Sequence, residues 1–594
     1  MPQLQGRHGG FHDTFVIREL VAVLIVNQPQ SPVFMIRFFP CILLFFSSFS
    51  SQAQQTVGLF LNDSLAQNGY TLLASSNARQ TYLLDNCGRV VHSWQSNYIP
   101  GQVAYLLENG DLLRTARISG NFNSGGVGGR IERFSWSGNL LWAFNYATSD
   151  YHAHHDVEFL PNGNILLIAW EAYTREEAIA QGRNPALTPT SGVWYEKIIE
   201  IEPVGTDQAN IVWEWHMIDH LVQQFDVLQE NYGVISAHPE LLDVNFKAMP
   251  TGGNGMNGPG PDWAHLNSVD YNPALDQIMI NSRSLGEFYI IDHSTTTAEA
   301  AGHTGGKYGK GGDFLYRWGN PLSYGRGTAN DQQLWGAHDA HWILPGLPDA
   351  GKVLVFNNGQ GRPAGNFSTV ELLDLPQNPD GSYALAPASA YGPSAPAWIY
   401  TATPPLSFFS ANISGAQRMP NGNTLICEGS SGHIFEVDPA GTVHWDYVNP
   451  LSGLNPVSQG SFPVNNAVFR AYRYAPDYPA FAGKTLMPGA PLELNPFPSD
   501  CRIFDGTVAL WTPDFPGPLT VYPNPVSNQL ILENPLGGAL QFTLADLTGK
   551  PCLTGSSTDT RIELDLSGLP PGMYILYPVF EKKYHLAALK IIKL

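Results

Sequence analysis

Basic charge is scarce in this chain of 594 residues: 31 Lys and Arg stand against 51 Asp and Glu, a net charge of −20. Nucleic-acid binding requires clustered cations to meet the phosphates, so that class of partner is excluded. An anionic small molecule would need a local cationic pocket on this acidic background. Charged residues of both signs reach only 14%. Cysteine is sparse as well. Cys41, Cys87, Cys427, Cys501 and Cys552 include no CxxC pair, which supports neither a zinc site nor a dithiol redox motif. The apolar run near the N-terminus is too short to span a bilayer comfortably, so no stable membrane span is expected.

What the chain has is 43% apolar residues, 59 Gly, 46 Pro and 12% aromatics. That mixture suits many short strands joined by tight turns. Length alone predicts three or four units, unless the middle is a toroidal repeat that grows by adding blades. From Met35 the sequence runs MIRFFPCILLFFSSFSSQAQQ, with small residues ending at Ala53. This charged, apolar, small-residue order is that of a secretory signal. Residues 1–34 then read as an upstream extension, with Met35 as the true start. Cys41 lies inside the apolar region, not at its end, which argues against a lipid anchor. A mature chain from Gln54 would work outside the cytoplasm, where cysteines can pair. One pairing open to it is Cys87 with Cys427, if they fall in adjoining units of a closed ring.

Between residues 69 and 450 one pattern recurs. Tight turns appear as LLENGDLL (106–113), FLPNGNILLI (159–168) and MPNGNTLI (419–426), with looser versions at 272–280 and 344–356. Each is followed by a strand pair closing near a tryptophan, as in YLLDNCGRVVHSW (82–94), IERFSWSGNLLWAF (131–144) and HIFEVDPAGTVHWDY (433–447). Asn-Gly favours the positive φ of tight hairpins. Six such closing hairpins predict an all-β fold, a six-bladed β-propeller. The first hairpin (69–96) is expected to share a blade with a strand at about 467–475, closing the ring.

Residues 519–594 change character, opening with LTVYPNPVSNQLILEN and ending with LDLSGLPPGMYILYPVF and LKIIKL. Alternating strands and polar turns predict a small β-sandwich. These segments resemble the C-terminal sorting domains of type IX secretion cargo. The resemblance implies that the type IX secretion machinery is a partner and that the chain is secreted or held at the cell surface. A carbohydrate-binding sandwich is the competing reading. The expected layout is an extension plus signal peptide in 1–53, the propeller in 54–500, a linker in 501–518 and the sandwich in 519–594.

The repeat gives each histidine a phase. His155, His265 and His338 all fall where an inner strand begins, in three consecutive blades. In a ring, that shared phase brings them together across the central channel. His152 and His154 read as solvated loop residues, and His341 as packing or support for His338. His216, His220, His293, His303, His433 and His444 take no role. Asp262 and Asn267 flank His265 and could fix its tautomer. Three convergent imidazoles could bind zinc. Arg283, on the second strand of the His265 blade, weighs against a metal, because a guanidinium repels a dication and suits a tetrahedral anion. No metal ligand and no cofactor is therefore expected. The Gly-rich stretches 251–260 and 303–312 lack the following Lys-Ser/Thr and helix of a P-loop.

HHDVEFLPNGNILL (154–167), DWAHLNSVDY (262–271), NSRSLGEFYIID (281–292), YRWGNP (316–321), WGAHDAHWILP (335–345) and RMPNGNTLICEG (418–429) together resemble bacterial arylsulfate sulfotransferases. The resemblance spans about residues 60–475 and implies a six-bladed propeller. It also implies transfer of a sulfuryl group from an aryl sulfate donor to a phenolic acceptor without a nucleotide sulfate. On that pattern His338 is the catalytic nucleophile that becomes a sulfohistidine, giving ping-pong kinetics. His155, His265 and Arg283 line the sulfate site, with Asn267 assisting substrate binding. Sulfuryl transfer spreads charge over equatorial oxygens, so positioned cations supply most of the help. Either His155 or His265 could serve the phenol as acid and base. Asp339 could orient His338. Trp335, Trp263, Phe408 and Phe409 are candidates for an aromatic wall, or else core. Residues 172–197 and 217–262 read as insertions able to reshape the acceptor side. Two other readings remain open: a surface propeller that binds sulfated or phenolic ligands without turnover, and a metal-dependent propeller hydrolase.

Overall fold

The computed structural model describes residues 54–246, 261–504, 520–534, 539–546, 550–580, 584–585 and 589–594. The expected signal segment, the Gly-rich stretch 251–260 and most of the linker lie outside them. Six antiparallel sheets make up the main body. Blade one runs outward from its inner strand Pro100–Leu106 to Leu140–Asn145, and blade two from Tyr151–Phe159 to Gln208–His216. Blade three runs from Leu266–Asn272 to Tyr316–Trp318, and blade four from His338–Trp342 to Trp398–Tyr400. Blade five starts at Gly415–Arg418 and gains Gly58–Asn62 outside Val443–Val448 as a fifth strand. Blade six joins Val468–Tyr474 to the N-terminal strands Tyr70–Ser75, Gln80–Asp85 and Val90–Gln95. The two ends of the ring therefore share a sheet, with Tyr70 paired to Tyr474 and Leu73 to Ala471.

The Asn-Gly turns explain the first half of the repeat. Gly110, Gly163 and Gly422 have φ of 90°, 90° and 88°, a region open to glycine at no steric cost. The preceding Asn109, Asn162 and Asn421 each accept from the N–H two residues on, at 2.9–3.0 Å. These turns join inner to second strands at the end away from the histidines.

The closing tryptophans explain the second half. Each indole N–H crosses to a carbonyl of the following blade. Trp94 donates to Ser135, Trp142 to Gln208, Trp215 to Gly312, Trp318 to Pro393, Trp398 to Pro439 and Trp445 to Asn86, at 2.8–3.1 Å. A buried indole needs a partner for its one donor. Here that need is met six times in the same rotational sense, and the last bond returns to blade six. The apolar core divides likewise into clusters between neighbouring blades. One example joins Leu166, Tyr195 and Trp215 of blade two to Leu266, Ile280 and Tyr289 of blade three.

Three expectations change. Cys87 pairs with Cys501, and Cys427 is a buried free thiol on the second strand of blade five. The Cys87–Cys427 pairing that the sequence left open does not form, and Cys427 lies in the apolar cluster with Ile434 and Trp445. Residues 172–197, read as an insertion, are strand at both ends and irregular only between. The middle strands of blade two run through Tyr173 and resume at Val193, leaving a short capped helix, Arg175–Ala180, between them. Third, His152 and His154 are buried within the inner strand Tyr151–Phe159, not solvated.

The C-terminal region forms a three-stranded sheet (Thr520–Tyr522, Gln529–Glu533, Arg561–Asp565) and a second sheet built on Leu540–Asp546 and Gly572–Phe580. Leu530, Leu532 and Leu564 of the first meet Leu540, Leu544 and Leu576 of the second in one core. No helix among the described residues is long and apolar enough to cross a membrane.

Candidate active site

The inner strands are irregular at one level of the channel. Pairing slips between Pro100 and Ala104, Val157 and Ala153, Leu266 and Ser268, His338 and His341, and Ala471 and Val468. These bulges insert one or two residues into five of the six inner strands. A bulge re-aims side chains that a regular strand would alternate. Its effect is plainest in blade two, where His154 and His155 are neighbours yet both approach His265, at ring-centre distances of 5.7 and 5.9 Å. His265 (φ 51°), Asp339 (φ 57°) and Ile413 (φ 50°) adopt left-handed backbone at the same level. Such conformations cost energy in non-glycine residues and concentrate at functional sites.

His155 and His338 both stand edge-on to Phe469 of blade six, at ring-centre distances of 4.9 and 6.4 Å. The three predicted histidines therefore share one end of the channel, with Phe469 between two of them. Arg283 follows the second strand of blade three. Its backbone N–H donates to His265 O at 3.1 Å, and its Nη2 donates to Gln360 at 2.7 Å. Burial pushes its pKa down, with Asp262 pulling the other way.

The protonation state of His338 can be derived from its partners. Asn358 Nδ2 donates to the carbonyls of Ser410 and Ile413, at 2.8 and 2.9 Å. Its Oδ1 must then accept, and it lies 2.7 Å from His338 Nδ1. Nδ1 also lies 3.0 Å from Gly336 O, a second acceptor. The proton is thus on Nδ1, and Nε2 carries the lone pair. Nε2 accepts a long 3.2 Å bond from the Ile413 N–H. Burial pushes His338 well below the usual histidine range, and the nearby Arg283 guanidinium adds to the effect against the Asn358 bond.

His265 is set up differently. Its Nδ1 lies 2.6 Å from Asp262 Oδ2. Asp262 also accepts from Trp170 Nε1 at 3.0 Å and from the Ser124 hydroxyl. Burial would raise this carboxyl, but His265, His154 and Ser124 outweigh it and hold it down at about 2. The carboxylate stands behind the ring as the partner of Nδ1. His155 has no such partner. Its Nδ1 is buried without a partner, and burial followed by the neighbouring histidines pushes it well below the histidine range. The loop between the second and third strands of blade one closes tightly over it: a Cβ on Gly126 would sit 2.4 Å from His155 Nδ1. His154 faces Glu196 at 3.0 Å. Burial drives the imidazole down and the carboxyl up, so this is a neutral pair.

Asn267 is fully buried, donating to Ala337 O at 2.8 Å and accepting from Asn281 at 2.7 Å. It holds the chain one residue before His338. Asp339 does not orient His338. Its Oδ1 lies 2.9 Å from Arg470 Nε, and its Oδ2 accepts from the Ala416 N–H at 3.0 Å. His341 turns away to the Asp339 carbonyl, 3.0 Å from Nδ1. Of the aromatic candidates, Trp263 and Phe408 are core, while Trp335 and Phe409 are half-buried. The Arg362 guanidinium stacks 4.9 Å over Trp335.

Arg470, one residue beyond Phe469, spans the channel. It pairs with Asp156 and Asp339 at 2.9 Å each and donates to Asn267 O at 3.0 Å. Sequence reasoning missed Arg470, Asn358 and the Asp262–His265 pairing distance. The available signal for Arg470 was a charged residue in the otherwise apolar VFRAY run; for Asn358 there was none.

With this geometry in place, comparison with known proteins gives two family matches. Residues 50–443 match the family model described as arylsulfotransferase (ASST), and residues 520–592 match the secretion system C-terminal sorting domain. No curated protein matches the chain. Solved structures similar to it are distant β-rich folds. A protein of unknown function from Bacteroides caccae is 11% identical (64% of this chain, 94% of that one, TM-score 0.35). The periplasmic gluconolactonase of Pseudomonas aeruginosa is 10% identical (84% and 99%, TM-score 0.31). Virginiamycin B lyase from Staphylococcus aureus is 9% identical (68% and 87%, TM-score 0.29).

Proposed function

The chain belongs to the arylsulfotransferase family, and we propose that it carries a sulfuryl group from an aryl sulfate to a phenolic acceptor in two displacements through His338. The observation that carries this reading is the Asn358–His338 contact, which fixes the proton on Nδ1 and leaves Nε2 as the nucleophile. In the first step Nε2 attacks sulfur, the sulfur–oxygen bond to the aryl group breaks, and the leaving phenolate takes a proton from His265. In the second, the acceptor phenol gives its proton to His265 as its oxygen attacks sulfur and the sulfur–nitrogen bond breaks. A neutral imidazole is a competent nucleophile at pH 7, and the depressed pKa keeps it neutral. Asp262 assigns the acid–base role to His265 over His155.

Arg283 and His155 hold the sulfuryl oxygens, and the Ile413 N–H passes from Nε2 to one of them as the lone pair is used. Asn267 acts through the backbone at Ala337. Trp335 and Phe409 supply an aromatic surface for the phenols. The C-terminal sorting domain engages the secretion machinery and directs the protein to the cell surface or beyond, so donor and acceptor are met outside the cell.

The test is release of phenol from a chromogenic aryl sulfate, with and without a second phenol and with chelator. Transfer gives release that depends on acceptor and ignores chelator. Chelator-sensitive release without acceptor supports a metal-dependent hydrolase, and no release supports a binding propeller. Mass spectrometry of the His338 peptide after a donor pulse should show an added sulfuryl group. Full transfer by His338→Ala would overturn the mechanism.

A further inference from the structure

His220 and the Gly-rich stretch HTGGKYGKGG (303–312) have no place in the chemistry above, yet they meet. His220 ends the short turn Met217–His220 directly after the outermost strand of blade two. His303 and Asp313 bracket the Gly-rich loop of blade three. His220 Nδ1 and His303 Nδ1 each lie 2.8 Å from the same atom, Asp313 Oδ1. All three atoms fall within 4.8 Å of one another.

We propose that His220, His303 and Asp313 bind one divalent transition-metal ion, zinc by ligand type, which clamps the blade-three loop to the edge of blade two. The tautomer of His220 fits. Its Nε2 lies 2.9 Å from Ala300 O, the backbone-carbonyl arrangement that leaves the other nitrogen free to ligate a metal. The His220 side chain is 0% exposed, and a dication between the three groups satisfies both imidazoles and the carboxylate.

Zinc ligands at about 2.0–2.1 Å in tetrahedral array stand roughly 3.3 Å apart, so each His–Asp313 edge needs to open by only about half an ångström. His303 is free to make that movement, since its side chain is 58% exposed. The same exposure leaves a fourth position to water. Two nitrogens and one carboxylate oxygen disfavour calcium and magnesium, which take oxygen ligands.

The surroundings are built to hold His220 still. Its ring stacks on Trp215 at 5.2 Å and 2°, and Trp215 makes the interblade bond to Gly312 O. A Cβ on Gly312 would lie 2.0 Å from Ala300 O and 2.7 Å from His220 Nε2, so a side chain there would keep the loop from closing.

The experiment uses the full-length protein, stripped with chelator and titrated with Zn²⁺ against a chromogenic zinc indicator, with thermal unfolding in parallel. One zinc per chain and a rise in Tm are expected. His303→Ala, a mostly exposed side chain, should bind zinc at least tenfold more weakly and lose the Tm rise. Its sulfuryl transfer should match wild type. Asp313→Asn should behave the same way. Absence of stoichiometric zinc in wild type would overturn the proposal. So would zinc that survives His303→Ala but is lost in His338→Ala, because it would then sit on the channel histidines.

Discussion

Two layers of the central channel, one residue apart along the same strands, follow opposite rules. In the upper layer His155 and His338 are buried, drained of charge and flanked by Phe469. In the lower layer Asp156, Asp339 and Arg470, the residues that follow them, are equally buried but paired. Arg470 is held well above its usual range despite burial, by Asp156 and Asp339. Burial lowers an imidazole that has no counter-charge, and it locks a guanidinium that has two. The Arg470 guanidinium also lies 4.7 Å over the Phe469 ring, so one aromatic side chain divides the reactive layer from the structural one. The lower layer ties blades two, three, four and six together under the site, which is how bulged strands can present imidazoles in fixed positions.

If the layers divide the labour this way, substitutions in them should fail in different assays. The largest effect belongs to His338→Ala. It should cost at least about a thousandfold in kcat, as expected when a covalent nucleophile is removed. Unfolding should change little, because the ring's polar contacts are few: Asn358, Gly336 O and the long bond from Ile413. Arg470→Met should do the reverse. It strands two carboxylates in the core and should destabilise by about 3–5 kcal/mol, read by denaturant unfolding. Single-turnover chemistry in the fraction that folds should fall by a smaller factor than for His338→Ala. If Arg470→Met instead kept its stability and lost its chemistry, the division into layers would be wrong.

The sequence carried the ring well and its interior poorly, and the reason is physical. Asn-Gly turns and closing tryptophans are local devices: each acts through its own φ or its own indole N–H, so each leaves a readable mark. The phase of His155, His265 and His338 followed from them. The bulges did not. A bulge is set by the pairing of two strands, so His152 and His154 read as solvated loop residues and Asp339, beside His338, as a possible support for it. Asn358 and Arg470 reach the site from the second strand of blade four and the last strand of the ring. Cys501 reaches Cys87 across 414 residues. None of these has a spacing to read.

Asn358 tests the upper layer more finely. Asn358→Ala removes the nearer of the two acceptors that hold the proton on Nδ1 and leaves only the 3.0 Å contact to Gly336 O, so the Nε2 lone pair should be less firmly fixed while the ring stays in place. A drop of about 10–100-fold in kcat is expected, on the scale of other groups that orient a reacting imidazole. KM for the aryl sulfate should hold, because Arg283 and His155 are untouched. A change in KM alone would mean that Asn358 binds substrate.

The smallest effect is also the most direct measure of the contrast. Because the folded His338 pKa lies well below the unfolded value, the unfolded chain takes up a proton here, as pH falls below about 6.5, that the folded chain refuses. Its contribution to stability is therefore fully present above that pH. It is lost on acidification by up to about 1.4 kcal/mol per pH unit until the folded pKa is reached. His293, pushed up to about 9 by Asp276 and Glu200 against its burial, has the opposite sign: its contribution is present below about 6.5 and lost as pH rises through 9. Denaturant unfolding of His338→Gln at pH 7 and 5.5 should show an acid loss smaller than wild type by about 1 kcal/mol. His293→Gln should instead enlarge that acid loss, by somewhat under about 1 kcal/mol, and reduce the loss between pH 7 and 9. An identical acid loss in His338→Gln and wild type would place a charge on His338 and remove the basis for calling it the neutral nucleophile.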